Sequence, residues 1–300
     1  MVSVDFVITQ LITGVSIGSQ LFLVAVGLSL IFGVMDVLNF AHGVLYMIGA
    51  YVVVLFSTGG ELLGFTFPQL GIWAGLVLAM LVVGLIGAGM EWGFIRRVYD
   101  REPLDQLLLT FAFVLIFTDI IRELFGAATS IGPPAQLAGK LLLPAGYTIS
   151  TYRAFVIMMS VLTMAALLAT LRYTNVGRKV RATASDRDMA QLLGVNVPLL
   201  YTAVFFVGAA LAGLGGALSA PILSIKPVLG DQVIIQSFIV VVLGGLGSFG
   251  GAFIGAYIIG IMSAMGPVIG VTGAGELMPF LAMILILLVK PEGMFGSVEA

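Results

Sequence analysis

The chain has 300 residues, of which 60% are hydrophobic and only 9% charged, and its net charge is −2. A soluble domain carries about 25% charged residues to cover its surface, so most of this surface is not built for water, and a mean hydropathy of +1.17 points to a bilayer. The near-neutral charge leaves no footprint for a nucleic-acid partner, and the absence of cysteine excludes disulfides, thiolate metal sites and cysteine nucleophiles.

The apolar runs, in chain order, are Phe6–Val34, Val44–Phe56, Gly71–Ile95, Leu107–Phe125, Ala154–Leu171, Leu199–Leu223, Val233–Leu246, Ala252–Met265 and Leu277–Val289. A bilayer core needs about 20 apolar residues at 1.5 Å per residue. The long runs meet that length and the short ones do not. The expected fold is an all-α polytopic membrane protein with about eight or nine spans, some broken or re-entrant, in a single domain over residues 1–300.

The first run starts without the basic region of a signal peptide; its first charge is Asp5. It ends at "LNFAHGVLYMIGAY", which holds the only histidine of the chain. Asn39 and Gly43 allow a break in a helix, and His42 is costly if it faces lipid. Broken backbone at membrane depth survives only where protein buries it or where it lines a water-filled path. Two readings of His42 stand: an interhelical hydrogen bond that fixes packing, or a group on a translocation path. A second break falls at Gly244, Gly245, Gly247 and Ser248 and could face the first across such a path. Gly247, Gly251 and Gly255 form a ridge that lets helices approach closely, as do Gly208, Ala212 and Gly216.

Arg96, Arg97 and Arg101 cluster in one connection, and Arg172, Arg178, Lys179, Arg181 and Arg187 in another. Short loops rich in Lys and Arg stay in the cytoplasm. Two apolar runs separate the clusters, so both can lie on one side. That places the N-terminus and the connection containing Pro133 and Pro134 outside, and the C-terminal Lys290 inside. Pro103 and Asp105 mark a helix start. Asp119, Arg122 and Glu123 are spaced for a local ion pair on one helix face, and Asp36 and Glu91 read as carboxylates near a membrane interface.

The connection over 172–198, "RYTNVGRKVRATASDRDMAQLLGVNVPLL" through its proline, carries the densest signal. Ser185 followed by Asp188 has the [ST]-x-x-[DE] capping spacing, and Asp186 and Asp188 suit the positive end of a helix dipole. Met189, Leu192 and Leu193 form one apolar face, Gly194 supplies a stop, and Asn196 with Pro198 open the next span. A short amphipathic helix of about two turns is expected there. It either rests on lipid headgroups or serves as a docking knob.

Three blocks carry a resemblance. "RATASDRDMAQLLGVNV" is similar to the cytoplasmic coupling loop of bacterial ABC-importer permeases of the branched-chain amino-acid class. "GLSLIFGVMDVLNFAHGVLYMIGAY" resembles the N-terminal part of that family, and "VVLGGLGSFGGAFIGAYIIG" its Gly-rich C-terminal block. They occur in the family's order and cover nearly the whole chain, which resembles the shorter of the two permease subunits. The resemblance implies a transport subunit of the bacterial inner membrane, working with a second permease subunit, two ATP-binding cassette ATPases and an outer solute-binding protein. It also implies that Arg181, Ser185, Asp186, Asp188, Met189, Leu192, Leu193 and Gly194 form the ATPase-coupling segment. The chain has no G-x-x-x-x-G-K-[ST] motif, since its only Gly-Lys pair, Gly139-Lys140, is followed by Leu. ATP and Mg would then be used by the partner ATPases, with no cofactor, metal or catalytic residue in this chain. The other readings are an ion-coupled secondary transporter, and the same ABC architecture importing urea, short amides or small organic acids.

Overall fold

The computed structural model describes residues 4–126, 128–269 and 274–295. It begins with α1 (Val4–Met35), α2 (His42–Thr58), a small hairpin of β1 (Gly60–Leu62) and β2 (Phe65–Phe67), α3 (Gly71–Gly93) and α4 (Pro103–Phe125). A second hairpin of β3 (Lys140–Leu142) and β4 (Thr148–Ser150) leads to α5 (Thr151–Tyr173), α6 (Asn175–Ser185) and α7 (Arg187–Leu192). Then follow α8 (Val197–Ser219), α9 (Leu229–Gly244), α10 (Phe249–Met265) and α11 (Ala274–Val289). The expected spans resolve, among the described residues, into six helices long and apolar enough to cross a membrane and three shorter apolar ones, α2, α9 and α11. The two hairpins were not legible in the sequence; each has only three-residue strands.

Burial ranks the helices. The apolar window of α1 is 83% buried and that of α8 61%, whereas that of α5 is only 11% buried, so α1 and α8 are the axis of the bundle. They run antiparallel: Gly27 meets Gly208, and Gly215 meets Leu23 and Val24. On α1 lies α10, also antiparallel, with Gly14 against Ile261, Gly18 against Tyr257 and Gly33 against Gly247. On α8 lies α3 in the same relation, with Gly213 against Val83 and Gly87 against Ala209. Exchanging α1–α2–α3 with α8–α9–α10 therefore maps each close pair onto another. This is the arrangement of an inverted repeat, although the two triplets share no evident sequence.

The short helices α2 and α9 are equivalent under that exchange, and each starts inside the bundle. His42, the first residue of α2, lies against Val24 and Gly27, well within α1. Gly43 and Gly230, the second residues of α2 and α9, touch backbone to backbone, and a Cβ on Gly43 would also lie 2.6 Å from that of Ile234. Small residues at such crossings let main chains approach in a medium that supplies little hydrophobic drive between helices.

The ends of the bundle are defined by contacts between connections. Asp100, after α3, meets Arg187 of α7 at 3.3 Å, so the two basic connections share one end, as expected. At the other end Tyr147 donates to Asp5 at 2.7 Å, and Thr129 pairs with Ile225. The tail after α11 reaches Gly245 through Gly293, on the side where α1 finishes beside Gly247. The chain therefore begins and finishes at opposite ends among the described residues.

The Gly43–Gly230 crossing gives a direct test. Gly43→Ala forces Cβ into the carbonyl of Gly230 and should cost about 1–3 kcal/mol or more by overpacking. Gly89→Ala, in α3 with nothing within 4 Å of its Cβ position, should be neutral or stabilising by about 0.5–1 kcal/mol. Thermal unfolding of the detergent-solubilised chain compares the two, and equal behaviour would contradict the crossing.

Candidate functional site: the two helix breaks, the basic end and an internal cavity

The first break is a stretch of extended chain joining two helices. Asp36 closes α1 in the left-handed region (φ 53°), with its N–H donating to Phe32 O at 2.8 Å; Asp is one of the few non-Gly residues that tolerates this. The carboxylate is exposed. The following polar backbone lies within the bundle, where water cannot serve it. Thr110 of α4 replaces water at one point, where its Oγ1 accepts from Phe40 N at 3.3 Å. Asn39 O accepts from His42 N at 3.2 Å and restarts the helix.

Asn39 and His42 are both fully buried. The His42 Nε2 lies 3.1 Å from Val24 O. A carbonyl can only accept, so Nε2 carries the proton and Nδ1 the lone pair. This bond ties α2 to α1. The His42 Nδ1 and both polar atoms of the Asn39 side chain have no hydrogen-bond partner among the described residues. Gly43 supplies the close approach to α9.

The second break is tighter. α9 ends at Gly244, Gly245 and Gly247 adopt positive φ (97° and 77°), and Ser248 caps α10 by accepting from Gly251 N at 3.1 Å. The carbonyls left over at the end of α9 are satisfied by the C-terminal tail: Met294 N donates to Leu243 O at 2.8 Å and Phe295 N to Gly244 O at 3.1 Å. The two breaks lie at different levels of α1, the first beside Val24–Gly27 and the second beside Gly33. The glycine ridges pack as the spacing predicts, Gly251 on Gly244 and Gly216 on Tyr46.

The connection over 172–198 contains two helices where one was expected. Thr174 caps α6, accepting from Gly177 N at 3.0 Å, and α6 buries Gly177, Val180 and Thr183 while exposing Arg178, Lys179 and Arg181. Ser185 is the last residue of α6 and not the cap of the next helix. An N-cap needs non-helical backbone, and Asp186 has it (φ −155°, ψ 104°); its Oδ1 accepts from Met189 N at 2.8 Å. Asp188 falls in the first turn, and Gly194 (φ 85°) stops α7. Asn196 caps α8 as expected, accepting from Leu199 N at 3.1 Å.

Only Ala190 of α7 is buried. Met189, Leu192 and Leu193 are 52%, 81% and 77% exposed, so the expected apolar face turns away from the bundle. Arg187 holds α7 in place: beside Asp100, its guanidinium also sits 5.8 Å from the centre of the Tyr201 ring. Both ion-pair partners are substantially exposed, so the pair alone is worth little; the ring contact adds geometry.

Beneath this contact lies a buried ionic cluster that sequence reasoning missed. Glu91, read as an interfacial carboxylate, has no exposed side-chain surface. It accepts from Arg96 Nε and Nη2, both at 3.1 Å, from Tyr99 OH at 2.7 Å and from Thr202 Oγ1 at 2.6 Å. Arg96 also donates to Pro198 O at 3.0 Å. The cluster fastens the end of α3 to the start of α8. Burial, and then the bond to Glu91, hold the Tyr99 phenol above its usual range. Tyr99 packs edge-on against Tyr201, with centroids 5.4 Å apart. Outside it, Asp119 and Arg122 form an exposed pair at 2.9 Å, which leaves them a surface role.

A cavity of about 310 Å³ opens at the inner side of α1, walled by Ile17, Leu21 and Val24, by Leu223, and by Val233 of α9. Arg153, from the start of α5, is also among its lining residues. None of the residues expected on a path lines it; Val24, whose carbonyl binds His42, separates the two.

Known proteins are similar to this chain over nearly its full length. The family described as "Branched-chain amino acid transport system / permease component" matches residues 10–289. The chain belongs to this family. It is similar to the high-affinity branched-chain amino acid transport system permease protein LivH of Escherichia coli K12, at 31% identity over 98% of this chain and 97% of that one. LivH of Salmonella typhimurium is 30% identical over the same shares, and BraD of Pseudomonas aeruginosa 28% over 97% of this chain and 96% of the relative. No solved structure matches the chain. Family membership makes it a multi-pass membrane permease.

The Glu91 cluster predicts an asymmetry. Arg96→Met leaves a buried carboxylate unpaired, which in a fully buried pair costs about 3–5 kcal/mol; the Arg96 side chain is 32% exposed, so the loss should fall toward the lower bound. The double variant Glu91→Gln with Arg96→Met should recover part of that loss. Unfolding midpoints of the three proteins check this, and a double variant worse than the single would contradict it.

Proposed function

We propose that this chain is a permease subunit of an ATP-driven importer for branched-chain amino acids or a closely related small solute. It works with a second permease subunit, two ATPase subunits that use ATP and Mg, and an outer solute-binding protein. In this reading it sits in a bacterial inner membrane among lipid, with its basic end in the cytoplasm and its N-terminus outside. The relatives named above are permeases of branched-chain amino acid systems, which supports the solute class.

The single observation that carries the coupling assignment is α7. A six-residue helix, capped by Asp186 and stopped by Gly194, presents Met189, Leu192 and Leu193 outward beside exposed Arg181 and Asp188. Three exposed apolar side chains on so short a helix need a cover, and we assign that cover to a partner ATPase rather than to lipid headgroups. Beside Arg187, the Tyr201 ring and the Glu91 cluster, a push on α7 is received by α8 and α3 together. Asn39, His42, Gly43, Gly244, Gly245, Gly247 and Ser248 belong, in this proposal, to the moving surfaces around the path. The inverted pairing of helices also suits an ion-coupled secondary transporter. Such a protein needs ionisable groups deep in its spans. The described residues offer only His42 and Glu91 as fully buried candidates, and Glu91 is already neutralised by Arg96.

The test is uptake of radiolabelled leucine into proteoliposomes holding the complex and its binding protein, with and without internal ATP. Accumulation that requires ATP supports the proposal. Uptake that follows an ion gradient and ignores ATP would replace it. ATP hydrolysis without leucine uptake would keep the importer and change the solute to urea, an amide or an organic acid. Leu192→Asp with Leu193→Asp should abolish co-purification of the ATPase subunits while the chain still inserts and unfolds at the wild-type temperature.

A further inference from the structure

The cavity beside α1 combines features that packing does not require. Arg153 is among its lining residues, and its side chain meets no carboxylate or other hydrogen-bond partner among the described residues. Among the described residues no acidic side chain lines the cavity. Its walls are mainly aliphatic, from Ile17, Leu21, Val24, Leu223 and Val233. Ser16, 1% exposed, contributes a hydroxyl with no partner among the described residues. Gln20 donates its amide N–H to Ser16 O at 3.2 Å, which leaves its Oε1 to accept. Gln236 adds a second amide from α9.

An unpaired guanidinium against apolar walls favours an anion that can take two parallel N–H donors, and a carboxylate fits that fork. The neutral oxygens of Ser16, Gln20 and Gln236 in the same lining suit an ammonium group without trapping it. The volume, about 310 Å³, is at the small end of solute sites, roughly 300–1,000 Å³. Urea and short amides carry no anionic group to meet Arg153, and urea has no aliphatic part to fill the walls. A solute bound by one charge pair and neutral acceptors is held weakly enough to leave, as a transport path requires.

We propose that this cavity is a solute subsite of the chain, with Arg153 reading the carboxylate of a small aliphatic amino acid, Gln20 and Gln236 receiving its ammonium, and Leu21 and Val233 packing its side chain. The subsite rests on the importer reading and narrows its solute class. Because α1, α5 and α9 all contribute walls, a relative movement of these helices opens or closes it.

The experiment is photo-crosslinking of the transporter in nanodiscs with a diazirine analogue of leucine, read by peptide mapping. Label is expected on peptides covering residues 13–24 and 222–236. L-leucine should protect them, leucinol, which lacks the carboxylate, should not, and 4-methyl-2-oxopentanoate, which lacks the ammonium, should protect partly. Arg153→Gln should lower labelling about tenfold or more, the loss of one charge-assisted contact, and Arg153→Lys should restore part of it. Ile17→Phe, which fills the cavity and leaves Arg153 in place, should abolish labelling with the unfolding temperature unchanged. Label mapping elsewhere, equal protection by leucinol, or indifference to Arg153→Gln overturns the subsite. So does crosslinking of a diazirine phosphatidylglycerol to the same peptides that leucine fails to displace, since Arg153 would then be reading a lipid headgroup. Labelling at this cavity in a complex whose uptake ignores ATP would keep the subsite and remove the importer reading; ATP-driven leucine uptake without labelling here does the reverse.

Discussion

Everything distinctive in this fold depends on one constraint: within a bilayer, a backbone N–H or C=O that leaves its helix must find a partner inside the protein. The chain departs from helix inside the bundle before α2 and again where α9 gives way to α10, and each of these departures has its own supplier. Thr110 of α4 serves the extended stretch before α2. Met294 and Phe295 serve the carbonyls at the end of α9, and Ser248 serves the first turn of α10. The peripheral elements are therefore not decoration. α4 is only about one-third buried, yet it carries the hydroxyl that the first break needs, and the C-terminal tail completes a helix end that lies two helices before it in sequence.

The same constraint explains where the sequence could be read and where it could not. Apolar length, breaks and caps are local properties, so the long helices, the interruptions at Asn39–His42 and Gly244–Ser248, the stop at Gly194 and the cap at Asn196 all follow from neighbouring residues. Ser185 shows the limit of that method. Its spacing to Asp188 satisfies the capping pattern, but α6 extends through Ser185, and only Asp186 has backbone free to cap. Nothing local distinguished the two, because the α6 pattern of Gly177, Val180 and Thr183 makes sense only against α1 and α5.

Long-range partners were hidden for the same reason. Glu91 and Thr202 are 111 positions apart, and Gly43 and Gly230 lie in triplets with no common sequence. The inverted relation between α1–α2–α3 and α8–α9–α10 is carried by small residues at crossings, and small residues carry little sequence identity. Glu91 did leave one signal, a carboxylate five residues before Arg96 at the end of an apolar run; read as an ion pair rather than as an interfacial acid, it would have located the clasp. Arg153 left a similar one, a lone cation at the start of a span with no acid at i±3 or i±4.

The α7 end of the chain and the end where Arg153 stands lie far apart, and α8 joins them. It is 23 residues long, about 34 Å at 1.5 Å per residue. At one end Tyr201 and Thr202 stand on α7 and the Glu91 cluster. At the other, Leu218 O accepts from Tyr152 OH at 2.9 Å, immediately before Arg153. The buried carboxylate of Glu91 fastens the base of this helix to the end of α3. The weak elements lie beside it: two short helices that begin mid-bundle, a buried asparagine whose side chain lacks partners among the described residues, and glycine contacts with no side chains to interlock. The bundle thus pairs one fastened axis, α8, with two short neighbours held mainly by small-residue contacts. Under the coupling proposed above, the exposed leucines of α7 are where a partner would meet this axis.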